Sequence, residues 1–280
     1  GTDGTELWRT VTGTAGNDQL AGLTVDSAGD IYLAAISSAT RVDETTPFNE
    51  DGLVIKLAGS TAQSVWQSTF GSPNTERCAG IVLIGTGTVL VGGTTDGTLN
   101  QQPNAGGTDV FAIRFDATSG AALGTFVFGT IEQEQVHSIV SNGTAIYLFG
   151  DLFINDVNGI PDIEGKVWAL NTTASQLDWT QTIGGTRLES VLRGVVNATG
   201  NLVIAGLSVP NFFGPPPPPP SPVFDRLEPV QFVATLDSAN RGAVLWNTTL
   251  QGEAEVNQLH MAYGHADLTG FALNNVGNPM

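Results

Sequence analysis

The feature that constrains this chain most is a segment that recurs along its length. Aligning ELWRTV, SVWQSTFG, ALGTFVFG, LDWTQTIGG and VLWNTTLQ brings Trp8, Trp66, Gly124, Trp179 and Trp246 into one column. The intervals Trp8–Trp66 and Trp66–Gly124 are equal, Gly124–Trp179 is slightly shorter and Trp179–Trp246 is longer. Where the column holds Gly124, Phe126 and Phe128 supply the aromatic surface from the same segment. A period of this kind marks a repeat architecture, in which one supersecondary unit cannot bury its own faces and stacks on its neighbours.

Each copy carries the same succession of short β-rich runs. After the aromatic segment comes an apolar run around Leu20–Val25, Cys78–Leu83, Val136–Val140, Val191–Val196 or Val256–Ala262, then a turn such as VDSAGD or VNATGN. A second run returns as IYLAA, TVLVGG, AIYLFG, NLVIAG and, more weakly, LTGFAL. After a longer loop a third run closes the unit as GLVIKLA, DVFAIRFD, KVWALN or QFVATLD. Runs of this length between turn signals, without helical periodicity, predict an all-β chain. Four strands recurring at this period predict a β-propeller of about five four-stranded blades. Radial stacking would cover both faces of each blade, which is why the strands read as nearly continuous apolar runs.

The units run at about 12–70, 71–128, 129–184, 185–250 and 251–280, with an extra N-terminal strand at 4–11, in one domain spanning 1–280. That order predicts a ring closed by strand exchange, the N-terminal strand completing the last blade. The fifth unit has no recognisable third strand, since NNVGNPM is short and turn-like, so either this blade is incomplete or, the favoured expectation, the natural chain continues past Met280. The opening GTDGTELW looks like the middle of a fold and contains no signal peptide.

The phrases DSAGDIYLAA, DVFAIRFD and GTELWRTVTGT resemble the SBBP-type β-propeller repeats of bacterial surface and secreted proteins. The resemblance implies a fold more than an activity. It also implies the strand order, with the GLTVD-type strand innermost and the Trp strand outermost.

Composition narrows the function. Charged residues are 13% of the chain against about 25% in soluble domains, and Thr, Ser, Asn, Gln and Gly carry the polarity, as in many extracellular β proteins. A net charge of −17 repels phosphate backbones and anionic lipid, which argues against nucleic-acid partners. No run reaches the ~18 apolar residues of a membrane span. The single cysteine, Cys78, allows no intrachain disulfide and sits in an apolar strand, where an inert buried thiol is expected.

The loops between second and third strands are long in every unit: SSATRVDETTPFNED, TTDGTLNQQPNAGGTD, DLFINDVNGIPDIEG and LSVPNFFGPPPPPPSPVFDRLEP. Equivalent loops fall on one face of a ring, and connections above ~12 residues are often functional, so that face is the expected interaction surface. The fourth, an insertion at 207–229, holds Pro215, Pro216, Pro217, Pro218, Pro219 and Pro220. Six prolines form a stiff polyproline II rod about 19 Å long. With Ser221 and Pro222 the run resembles tracts of hydroxyproline-rich extracellular matrix glycoproteins, which implies hydroxylation and glycosylation of these prolines. The sequons at Asn142, Asn171, Asn197 and Asn247 point the same way, the first three at expected turns and the last in a strand.

Acidic residues recur ten places after the aromatic column, at Asp18, Glu76, Glu134 and Glu189, with Glu255 one place short. Each stands where an innermost strand begins. A carboxylate there can accept backbone amides of its turn or of the next blade, a structural role; alternatively the five form a cation-holding ring at a channel mouth. Asp156, Asn158 and Asp162 offer hard oxygens around a glycine turn, a possible Ca²⁺ loop with one acid too few, and plain turn chemistry explains them equally. No other cofactor is expected.

Catalytic signatures are missing. His137, His260 and His265 show no metal-ligand spacing, there is no GxSxG elbow, and no pair among the 27 acids stands out as a glycosidase dyad. The expectation is a non-catalytic extracellular or cell-surface module of an appendage, matrix or adhesive glycoprotein. Its partners would be other extracellular proteins or matrix glycans, without membrane insertion. The alternative is a lectin-like propeller with repeated glycan pockets, and a propeller glycoside hydrolase ranks third.

Overall fold

Runs of Val, Ile, Leu, Phe and Thr bounded by Gly, Asn and Asp form strands throughout the computed structural model, which describes residues 3–38, 50–155, 161–184, 188–208 and 230–250. The described residues contain no α-helix. Four antiparallel sheets form, each of four consecutive strands hydrogen-bonded in chain order. The first holds β1 (Asp18–Val25), β2 (Ile31–Ser37), β3 (Asp51–Leu57) and β4 (Ser64–Phe70). The second holds β5 (Glu76–Ile84), β6 (Thr88–Thr95), β7 (Asp109–Asp116) and β8 (Ala122–Phe128). The third holds β9 (Gln133–Ser141), β10 (Ala145–Asn155), β11 (Pro161–Asn171) and β12 (Leu177–Ile183). The fourth holds β13 (Glu189–Val196), β14 (Leu202–Ser208), β15 (Val230–Asp237) and β16 (Ala243–Leu250).

The repeat extends to the irregularities of the ladders. The first pair of strands slips register at Ala21, Ala79 and Leu192 in the first, second and fourth sheets, each three places after Asp18, Glu76 and Glu189. The last pair slips in the same three sheets at Val65, Leu123 and Leu245, each one place before the aromatic column. A bulge adds local twist and bends its strand, so recurrence at one column gives these sheets the same twist at both ends.

The chain divides into two compact units, Gly1–Ile146 with Leu170–Gln176 and Tyr147–Ala169 with Leu177–Met280. In the first unit β1 lies over β5 and β5 over β9. The approach is so close that a Cβ on Gly22 would stand 3.1 Å from Gly80 Cα, and one on Gly80 2.8 Å from Ile139 Cγ2. Middle strands β3, β6 and β7 are buried on both faces, whereas the edge strand β4 alternates. Tyr32, Val54 and Phe70 of the first sheet join Cys78, Val91, Phe111 and Phe115 of the second in one core. Phe70 sets its edge on Phe111 at 5.5 Å and touches Phe115 at 5.8 Å, contacts worth about 0.5–1.5 kcal/mol each beyond area burial.

In the second unit the same stacking is visible. Phe149 of β10 fills the space that a side chain on Gly194 of β13 would need. The carboxylate of Asp151 accepts from Ser190 Oγ (2.9 Å) and Val191 N (3.2 Å) at the start of β13.

Two expectations are corrected. No strand forms at 4–11: the first strand is β1 at Asp18, and Trp8 reaches the first sheet by a side-chain bond to Gly59 O and not by a backbone ladder. The third long loop, DLFINDVNGIPDIEG, is mostly strand: β10 runs to Asn155 and β11 starts at Pro161. Phe153, Ile154 and Ile163 supply β-forming residues on both sides of the turn chemistry, and they extend the hairpin. The fifth unit with Glu255, the run Pro215–Pro220, and Asp156 and Asn158 lie outside the described residues.

Candidate functional site

The recurring acids begin the first strand of their sheets and close a turn behind it. Asp18 accepts from Thr14 N (2.6 Å) and Thr14 Oγ1 (2.8 Å). Glu76 accepts from Ser72 N (2.8 Å), Ser72 Oγ (2.7 Å) and Thr95 Oγ1 (2.7 Å). Glu134 accepts from Thr130 N (2.9 Å) and Thr130 Oγ1 (2.7 Å), and Glu189 accepts from Ser208 Oγ at 3.5 Å. A hydroxyl four places before the acid, donating alongside its own amide, is therefore part of the repeat in the first three sheets. A glycine five places before it (Gly13, Gly71, Gly129, Gly184) leaves room, since a Cβ there would meet the carboxylate in three of the four cases and Asp51 in the fourth.

Glu76, Glu134 and Glu189 are buried, while Asp18 is exposed. Burial pushes the Glu76 carboxyl up; the Ser72 and Thr95 hydroxyls oppose this, and the nearby charge of Asp51 adds to it. Burial also pushes Glu134 up, against the Thr130 hydroxyl and with the charge of Asp109. At Asp18 burial acts in the same sense but the hydroxyls of Ser37 and Thr14 and the Thr14 N–H outweigh it, holding that carboxyl below its ordinary range.

Two acids that the sequence reading passed over complete the arrangement. Asp51 and Asp109 open the third strands β3 and β7 at equivalent places in the repeat, and face Glu76 and Glu134 of the following sheet. Burial pushes Asp109 up as well. The repeat thus sets a pair of buried carboxyls between one sheet's third strand and the next sheet's first. The signal was available in the aligned strands DGLVIKL and DVFAIRF. The pairing was not, because the partners belong to different units and only strand order brings them together.

The aromatic column works at the other edge. Trp66 of β4 donates Nε1 to Ala117 O (3.2 Å) in the β7–β8 turn, and its ring lies on Gly120, which has φ +74°. Tyr32 Oη and Lys56 Nζ donate to the same carbonyl (3.3 Å each). Trp8 donates to Gly59 O at 3.0 Å, and Trp179 lies on Gly242 of the β15–β16 turn. Where the column holds Gly124, the guanidinium of Arg114 occupies the space.

The sequon residues are turn residues. Asn142 Oδ1 accepts from Thr144 N, Thr144 Oγ1 and Ala145 N (2.9, 2.9 and 2.8 Å). Asn197 Oδ1 accepts from Thr199 N, Thr199 Oγ1 and Asn201 N (3.0, 2.7 and 3.0 Å). Asn171 Oδ1 accepts from Thr173 Oγ1 (3.0 Å) and Ser175 N (3.1 Å). In all three the sequon Thr donates to the sequon Asn, so side-chain-capped turns explain the spacing by themselves. Asn247 is exposed on β16, next to Trp246.

Asp162 stands in β11 and accepts from the backbone of Ile163 (2.8 Å). Among the described residues no group of three or more His, Cys, Asp or Glu could hold a metal ion, and no helix is long and apolar enough to cross a membrane. The chain matches no protein-family model and no curated protein sequence.

Proposed function

We propose that the four sheets are successive blades of a propeller of about five, and that the chain is a non-catalytic extracellular structural and interaction module of a surface, appendage, matrix or adhesive glycoprotein. The observation that carries the architecture is that the repeat-equivalent side chains join neighbouring sheets. Trp66 grips the β7–β8 turn, and Asp109 faces Glu134 across two sheets. A repeat whose distinctive residues hold its own units together suits a scaffold. Function then falls to the long loops, to the proline run and to the half-exposed turns at Asn142, Asn171 and Asn197.

The N-terminal segment supports closure of the ring. Trp8 meets Gly59 as Trp66 meets Ala117, with both members moved by one period of the repeat. It therefore lies on the first sheet as the outermost strand of a preceding sheet would.

Intact mass and glycopeptide mapping of the natively sourced protein test the functional half of this reading. Pentose or hexose on hydroxyproline within Pro215–Pro222, with N-glycans at the sequons, is the expected result. Bare prolines and bare sequons would sink the matrix-glycoprotein assignment. A glycan array that lights up in repeated, multivalent fashion would replace it with a lectin.

A further inference from the structure

Asp109 at the start of β7 and Glu134 at the start of β9 meet beside Gly129. They are 0% and 2% exposed, and each keeps one oxygen, Asp109 Oδ1 and Glu134 Oε2, without a hydrogen-bond partner. Both orphan oxygens border one point: a Cβ on Gly129 would strike Asp109 Oδ1 and stand 2.9 Å from Glu134 Oε2. Their other oxygens are engaged, Asp109 Oδ2 by Ala105 N (2.5 Å) and Glu134 Oε1 by the amide and hydroxyl of Thr130. Each carboxyl is pinned by its own turn with its free oxygen beside Gly129.

Two neighbouring buried carboxylates cannot readily both stay ionised without a compensating charge. The elements packed against the pair carry Glu76, Arg77 and Cys78 on β5, His137 on β9, and Arg114 and Asp116 on β7, with Glu132 just before β9. Among the described residues none of these makes an ion pair with Asp109 or Glu134; Arg77 is spent on Glu50 at 3.6 Å. A divalent cation seeks six or more oxygens, and the pair offers two unbonded ones. A proton requires no more than two.

We propose that Asp109 and Glu134 hold one proton between their orphan oxygens, and that this shared proton latches β7 to β9 and is released as pH rises. The proton comes from solvent on folding, resides on one carboxyl and is donated to the other, leaving a single negative charge. Its loss leaves two buried charges side by side. The start of β9 is otherwise held by Glu134 N to Thr108 O (2.8 Å), Thr108 Oγ1 to Glu134 O (2.6 Å) and Gly107 N to Glu132 O (3.0 Å). Opening there is what the repulsion drives.

The test is a carbon-13 carboxyl NMR titration of the full chain, with urea unfolding followed against pH for the wild type, E134Q and D109N. One carboxyl of the pair is expected to keep its proton to a pH above the ordinary carboxylate range. An amide at either position mimics the protonated member. Relative to E134Q or D109N, the unfolding constant of the wild type then rises by up to about tenfold per pH unit between the unfolded and folded pKa values. Parallel pH curves for wild type and both variants, or ordinary titration of both carboxyls, would overturn the proposal. So would millimolar CaCl2 shifting both signals at neutral pH with a stabilisation that either variant abolishes, which would make the pair a cation site.

Discussion

Trp8 donates its indole Nε1 to the carbonyl of Gly59 at 3.0 Å, and one repeat further on Trp66 does the same to Ala117 at 3.2 Å. Trp66 belongs to β4, the last strand of its sheet, and Trp8 belongs to no described strand. Trp8 thus holds, on the first sheet, the place that a side chain of the edge strand β4 holds on the second.

Removing the grip should loosen the joint without unfolding a sheet. Trp66→Ala loses a half-buried indole, its bond to Ala117 and its contact with Tyr32 at 6.1 Å. We expect a loss of roughly 2–4 kcal/mol, at or below the usual range for a large aromatic truncated in a core. Urea unfolding measures it, and Trp66→Phe should recover part of the loss.

Gly129→Ala places a methyl group on the Asp109–Glu134 pair. Neither carboxyl can swing away, since each is tied to its own turn. The cost should be about 1–3 kcal/mol, typical of overpacking. Gly143→Ala is the control for a glycine with open space around its Cα: there the cost comes from φ +85° alone.

Glu76 gives the first joint a pH dependence of definite sign. Its folded pKa is raised by burial, so the stability it contributes is complete below the unfolded carboxylate pKa and is lost as pH climbs through the folded one. Thermal melts should therefore shift downward from mildly acidic to neutral pH, and Glu76→Gln should flatten that part of the profile. A melt that rises across the same window would contradict the assignment.

Cys78 should be unreactive in the native protein. Burial pushes its thiol to about 12, leaving almost no thiolate at neutral pH. A thiol reagent such as DTNB should label it only after unfolding, at a rate that follows global opening. Rapid labelling of the native chain would show that β1 does not cover β5 in solution.

The sequon turns separate folding from modification. Asn197→Asp keeps the oxygen that caps the turn and removes the glycosylation site, whereas Asn197→Ala removes both and should cost about 1 kcal/mol, as loss of a comparable cap does. Comparing glycosylated and bare protein carrying Asn142→Asp, Asn171→Asp and Asn197→Asp shows whether glycans contribute anything beyond the turn.

Much of this architecture was legible in the sequence because the repeat writes it several times. Trp66 and Trp179, Glu76 and Glu134, and the continuous apolar runs of β3 and β7 all announce themselves by column. Asp51 and Asp109 did not stand out, because an acid at the start of a strand is ordinary until strand order sets it against Glu76 or Glu134. The turn-rich string around Asn155 and Pro161 misled in the other direction. Local turn chemistry there is real over a short stretch, but β10 and β11 pair far enough to absorb both flanks. Function was less legible, since loops that differ from unit to unit share no repeated chemistry from which to read a ligand.

The central claim is that the sheets are blades of a ring closed by the N-terminal segment, and hydrogen–deuterium exchange over residues 5–13 tests it most directly. If this segment completes a sheet, its amides should exchange as slowly as those of β4 at Ser64–Phe70, and Trp8→Ala should speed them. Exchange at the rate of an unstructured peptide, unchanged by Trp8→Ala, would contradict closure and leave an open stack of sheets.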